Sequence, residues 1–141
     1  MGIKQLRGDI ITKKQLKALI KFQKSEMDAV FMYKKLAEYA KTEERKEILL
    51  KAAADEGKHA GILHGYTETV IKKVPKTMQR GVLFAYKVFG KKLTFKFISI
   101  GEKASVKPYS KYADEFPKIK EIMADELHHA AVALELSKTK E

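Results

Sequence analysis

The sequence predicts an all-α fold: a four-helix bundle with a short extra helix in the crossover between the second and third long helices. Three observations predict it. Apolar residues recur at helical spacing along four long segments. Capping and breaking residues punctuate the chain where those segments should begin and end. No alternating apolar–polar run bounded by turn residues competes with them. At 141 residues there is room for one domain with a real core. A single domain over 1–141 is expected, built from two helical hairpins at about 13–72 and 91–137.

Each element has its own signal. Thr12-Lys13-Lys14-Gln15 has the form of a capping box and opens the first helix, expected to reach about Ala40. Leu16, Leu19, Ile20, Phe22, Val30, Met32, Tyr33, Leu36 and Ala37 form its apolar face. Thr42 caps the second helix, whose first turn, Glu43-Glu44, suits the positive end of the helix dipole. It carries Ile48, Leu49, Ala52, Ala53, Ile62 and Leu63 and is expected to end near Lys72, before the break at Pro75. A short amphipathic helix at about 76–88 ends at Gly90. The third long helix is expected from about Lys91 to Ala113. Pro117, at an N1 position, opens the fourth, which runs to about Ser137. Pro108 has no N–H to donate to Ala104, so the third helix should kink or bulge after Glu102.

Composition narrows the chemistry. The chain has no cysteine, which excludes disulfides, thiolate metal sites and cysteine nucleophiles, and leaves carboxylate and imidazole as the strong metal ligands. Met1-Gly2-Ile3-Lys4 carries no apolar signal-peptide core, so a cytoplasmic protein is expected. The formal net charge is +11, but the lysines are spread along the chain, which favours solvated helix faces over a nucleic-acid surface. Residues 81–100 are apolar on average yet interrupted by Lys87, Lys91, Lys92 and Lys96, so they cannot span a bilayer. They are expected to be core, with peripheral contact on a membrane surface as the alternative.

One unusual string occurs twice. Ala54-Asp55-Glu56-Gly57-Lys58-His59-Ala60 matches Ala124-Asp125-Glu126-Leu127-His128-His129-Ala130, giving Ala-Asp-Glu-x-x-His-Ala on the second and fourth helices. Upstream, Glu26 is followed by Val30, Tyr33, Lys35 and Ala37, and Glu102 by Val106, Tyr109, Lys111 and Ala113 at the same offsets. Residues three apart share a helix face, so Glu56 with His59, and Glu126 with His129, each present two ligands together. Packed against Glu26 and Glu102, they make the four-Glu, two-His set of di-iron and di-manganese carboxylate bundles. Glu102 is the one acid between Glu68 and Asp114, on an apolar, lysine-flanked helix. Four carboxylates gathered in a bundle interior repel one another unless cations neutralise them or some stay protonated. Asp55 is expected to serve His129, and Asp125 His59, by accepting the far imidazole N–H. Tyr33 and Tyr109 either hydrogen-bond ligand carboxylates or cap the core. His64 and His128 point off the ligand face and are expected to be non-ligating.

From about Lys13 to Ser137 this pattern resembles the rubrerythrin-like branch of the ferritin-like superfamily. The resemblance implies a ferritin-like bundle with metal ligands Glu26, Glu56, His59, Glu102, Glu126 and His129. It implies two iron ions, with manganese as the alternative, and reaction with oxygen or hydrogen peroxide. Ser105 stands where a typical rubrerythrin has a further glutamate, and the rubredoxin-like domain is absent. Electrons would therefore come from an external donor such as a rubredoxin-type protein, and a homodimer is expected. Two other function classes remain open on the residues alone: iron binding or delivery without turnover, and a basic interaction module whose metal site is structural.

Overall fold

The computed structural model describes the backbone of residues 3–6 and 9–139, and side chains from Ile11 to Thr139. The signal-peptide reading at Met1-Gly2 and the last two residues of the proposed 1–141 domain lie outside the described residues. Five helices follow a short hairpin: β1 (Ile3–Leu6), β2 (Asp9–Thr12), α1 (Lys13–Tyr39), α2 (Glu43–Thr67), α3 (Thr77–Phe89), α4 (Lys91–Ser110) and α5 (Ile119–Lys138).

The hairpin corrects the expectation that no strand is present. β1 and β2 pair antiparallel, with Ile3 opposite Thr12 and Leu6 opposite Asp9. Its signal is short, four residues a side, with the β-branched run Ile10-Ile11-Thr12. Thr12 ends the strand and caps α1: its hydroxyl accepts the Gln15 N–H while Gln15 Oε1 accepts the Thr12 N–H.

Two helix ends differ from expectation. α2 stops at Thr67 rather than near Lys72. Glu68 takes a left-handed conformation (φ 50°), the Thr67 hydroxyl donates to Gln23 Oε1, and Gln23 Nε2 donates to the Thr69 carbonyl. This buried Gln23 thus ties the end of α2 to α1, and the following Thr69-Val70-Ile71 is a poor helix sequence. α4 runs through Pro108 but ends at Ser110 rather than Ala113. Lys111 N donates to the Pro108 carbonyl and Tyr112 N to Tyr109, so the chain tightens to three-residue bonds directly after the proline. Turns then occupy 111–118, and α5 begins two residues beyond Pro117.

α3 begins without a cap of its own. Asp28, buried on α1, accepts the N–H groups of Met78 and Gln79 and so satisfies donors that a helix start leaves open. α3 ends at Gly90, whose φ of 84° suits glycine. That residue divides the apolar stretch 81–100 into two helices. Among the described residues no helix is long and apolar enough to cross a membrane. The expectation that this stretch is core holds only for one face: Ala85, Phe95 and Ile98 are buried, but Phe84, Val88, Phe89, Phe97 and Ile100 are exposed.

α1 packs chiefly on α2 and α4 on α5, while α3 lies against α1 and α4. The arrangement is compatible with a four-helix bundle. Two apolar layers hold it together. One joins Met32, Tyr33 and Leu36 of α1 to Leu49 of α2, Phe95 of α4 and Leu136 of α5. The other joins Leu19 of α1 to Leu63 of α2, Tyr109 of α4 and Ile122 of α5. On every long helix the candidate ligands fall between these layers: Glu26 between Leu19 and Met32, Glu56 and His59 between Leu49 and Leu63. Glu102 falls between Phe95 and Tyr109, and Glu126 with His129 between Ile122 and Leu136. A polar stratum is therefore sealed above and below by hydrocarbon, where water is scarce and charge is costly.

Candidate metal centre

The structure brings all six sequence-predicted ligands into that stratum. Glu26, Glu56, His59, Glu102, Glu126 and His129 are each no more than 8 % exposed. They form two overlapping groups whose ligand atoms lie within 4.8 Å of one another: Glu26, Glu56, His59 and Glu126, and Glu56, Glu102, Glu126 and His129. Glu56 and Glu126 belong to both. His59 Nδ1 lies 3.1 Å from Glu126 Oε1, 3.2 Å from Glu56 Oε1 and 3.4 Å from Glu26 Oε2. His129 Nδ1 lies 3.2 Å from Glu56 Oε1 and 3.8 Å from Glu102 Oε2.

These close approaches lack hydrogen-bond geometry. Among the described residues, the buried side-chain atoms without a hydrogen-bond partner are Glu26 Oε2, Glu56 Oε1, His59 Nδ1, Glu102 Oε2, Glu126 Oε1 and His129 Nδ1. That is one atom from each of the six residues. Buried polar atoms are nearly always paired, so six orphans gathered in two overlapping groups make a donor set suited to divalent cations.

The outer atoms of the same side chains are all engaged. His59 Nε2 is 2.7 Å from Asp125 Oδ2 and His129 Nε2 is 2.9 Å from Asp55 Oδ2, the crossed pairing expected from the sequence. An imidazole whose Nε2–H donates to a carboxylate presents an Nδ1 lone pair inward once that nitrogen is deprotonated. The Tyr33 hydroxyl donates to Glu102 Oε1 at 2.6 Å, and Tyr109 to Glu26 Oε1 at 2.7 Å. Burial, then the neighbouring carboxylate, pushes both phenols upward, so they remain donors. Both roles open to these tyrosines are filled: the hydroxyls donate to ligand carboxylates and the rings lie in the apolar layers. Lys51 pairs with Asp55 from the solvent side. Although burial raises the Asp55 carboxyl, Lys51 and His129 outweigh that and its net shift is downward.

Ser105 is a contact that sequence reasoning passed over as a mere departure from a family pattern. Its Oγ is 2.6 Å from the Glu102 carbonyl and 3.0 Å from Glu126 Oε2, so the hydroxyl has both oxygens within hydrogen-bond reach. The i, i+3 offset from Glu102 was the available clue. His64 and His128 are exposed and outside both groups.

Electrostatics reflect four carboxylates in a buried layer. Burial pushes Glu26 up to about 7 and Glu102 up to about 9, and Glu126 also rises. Glu56 is lowered on balance: burial raises it, but two flanking imidazoles prevail. For His129, burial acts downward, yet Glu102, Glu56 and Asp55 push it up to about 11. His59 rises further, against burial, under Glu126, Glu26 and Glu56. Protons thus hold the charge balance that cations would otherwise supply.

Two openings approach this layer. A groove of about 860 Å³ between α2 and α5 reaches Asp55 and His129. A cavity of about 430 Å³ is walled by Glu26, Glu56, Glu102 and Glu126 together with exposed Ser25, Phe97 and Gly101.

The aspartates give a local test. Asp55→Ala or Asp125→Ala should weaken divalent-metal affinity about 10–100-fold through loss of imidazole orientation, while leaving the number of sites unchanged in calorimetric titration. Unchanged affinity in both variants would remove them from the centre.

No known protein family, curated protein or solved structure matches the chain.

Proposed function

We propose that the chain is a ferritin-like four-helix bundle, with α3 in its crossover, and that it acts as a cytoplasmic di-iron carboxylate oxidoreductase toward oxygen or hydrogen peroxide. The observation that carries this reading is the convergence of six unpartnered ligand atoms, one from each of Glu26, Glu56, His59, Glu102, Glu126 and His129. Two groups of four share two carboxylates, which suits a pair of ions bridged by Glu56 and Glu126, with Glu26 and His59 on one side and Glu102 and His129 on the other. Two iron ions held there would supply the redox electrons and the Lewis acidity; manganese is the alternative, since hard carboxylates with imidazole suit either.

The chain's own residues do the rest. Asp125 and Asp55 orient the imidazoles, Tyr109 and Tyr33 hold one oxygen of each terminal carboxylate, and Ser105 steadies the second oxygen of Glu126. The apolar layers exclude bulk water, and the cavity beside Gly101 gives a small oxidant a route to the four glutamates. Reducing equivalents would come from a separate protein such as a rubredoxin-type donor, and the active form is proposed as a homodimer.

Aerobic titration with ferrous iron tests the reaction. Oxidation should exceed both buffer and a Glu56→Ala/Glu126→Ala variant by at least about 100-fold, the usual scale for removal of a catalytic centre, with oxygen or peroxide consumed in step. Stoichiometric iron uptake with no oxidant consumed would replace this reading with non-catalytic iron delivery.

A further inference from the structure

The described surface carries an apolar ridge that, apart from Phe97 at the cavity wall, lies outside the metal centre. Phe84, Val88 and Phe89 at the end of α3, and Leu93, Phe97 and Ile100 on α4, are all exposed, Phe84 and Ile100 by about two-thirds (63 % and 67 %). The rings of Phe89 and Phe97 meet edge-on, 6.2 Å apart, so the two sets form one surface across Gly90. Exposed apolar residues scattered singly need no explanation; a joined cluster with two aromatic rings in contact does.

The charge around the ridge is one-sided. Between Glu68 and Asp114 the chain has eleven basic residues and one acid, Glu102, and that acid is buried in the centre. On α4, Lys92, Lys96, Lys103 and Lys107 are exposed and fall on one helical stripe, spaced four, seven and four apart. Leu93, Phe97 and Ile100 form the stripe beside it. Lys87 of α3 is exposed as well.

We infer that this α3–α4 face docks on an anionic lipid bilayer, the apolar ridge entering the headgroup–acyl boundary and the lysine stripe meeting the lipid phosphates. Helices that lie in a membrane interface combine Phe and Leu on one side with Lys on the other, and a polybasic face is drawn to anionic leaflets. A second copy of the chain fits poorly. A two-fold contact would set the lysine stripe against itself, with no exposed acid in residues 69–113 to meet it. Nucleic acid would use the lysines but gains little from exposed Val88, Leu93 and Ile100.

The test is flotation of the full chain with phosphatidylcholine vesicles, with and without roughly 30 % phosphatidylglycerol. Binding should be at least about tenfold tighter to the anionic vesicles and should weaken as salt rises. Phe97→Ser/Ile100→Ser should reduce it by about tenfold or more with the circular dichroism unchanged, since both side chains face solvent. Lys92→Glu/Lys96→Glu should abolish the preference for anionic lipid. The inference is overturned by no binding to anionic vesicles. It is equally overturned by full binding of the Phe97→Ser/Ile100→Ser variant, or by a dimer that this variant splits while vesicles bind neither form. Retention on duplex DNA without vesicle binding would assign the face to nucleic acid instead.

Discussion

Replacing Glu56 and Glu126 together with alanine is expected to abolish binding of both metal ions, whereas Glu26→Ala or Glu102→Ala should leave one. The asymmetry follows from the shared positions: the first two residues belong to both ligand groups, the second two to one each. Metal-free stability should fall as well. The double variant takes two carboxylates away from His59 and His129, and removing one side of such buried pairs costs about 3–5 kcal/mol. Wild type should gain about 4 kcal/mol for each of the two ions when free metal exceeds Kd roughly a thousandfold, and the double variant should gain nothing. Metal analysis with thermal melts in chelator and in excess Mn²⁺ reads both effects. A double variant that still binds two ions would contradict the assignment of Glu56 and Glu126 as the residues shared by both sites.

Metal-free wild type should lose stability as pH rises from about 5 to about 9. Glu26 and Glu102, pushed up by burial to about 7 and about 9, keep their protons in the folded chain after the unfolded chain has lost them. A carboxyl raised in this way stabilises the fold fully below its ordinary value, and that contribution disappears as pH climbs through the folded value. His129, raised to about 11, has the same sign above its ordinary value of 6.5. Glu56, shifted downward, is ionised in both states over this window and adds no slope. A loss on the order of 3 kcal/mol corresponds to a Tm drop of about 10 °C for a chain of this size. Bound metal should reverse the trend, because the ligands must shed protons to bind it, so the Tm gained from Mn²⁺ grows with pH. Melts at both ends of the range, compared with Glu26→Gln/Glu102→Gln, isolate the effect. A wild-type Tm that is flat or rising in chelator, or a slope that the variant retains in full, would contradict it.

The buried Glu/His cluster was legible because its spacing is periodic. Glu-x-x-His places two ligands on one helix face by spacing alone, and its second copy, with matched Glu26 and Glu102 upstream, identifies four helices that must share an interior. Capping residues located the helix starts equally well, since Thr12 and Thr42 act within their own turns. Long-range effects were not legible. α2 ends at Thr67 because Gln23, forty-four residues earlier, holds it, and α3 begins where Asp28 of α1 reaches its amides. The hairpin at residues 3–12 is too short for its alternation to stand out. Average hydropathy also misplaced one face of residues 81–100: it registers how apolar Phe84 and Ile100 are, but not that α3 and α4 turn them outward. Ser105 needed the position of Glu126, on another helix, before its hydroxyl had a role.

The most direct measurement is anomalous scattering at the iron and manganese edges, from crystals of protein purified without added metal. Two peaks enclosed by Glu26, Glu56, His59, Glu102, Glu126 and His129 are expected, with signal at the iron edge. A single peak there, or none, would contradict a dinuclear centre; two peaks with signal at the manganese edge alone would keep the centre and overturn the iron.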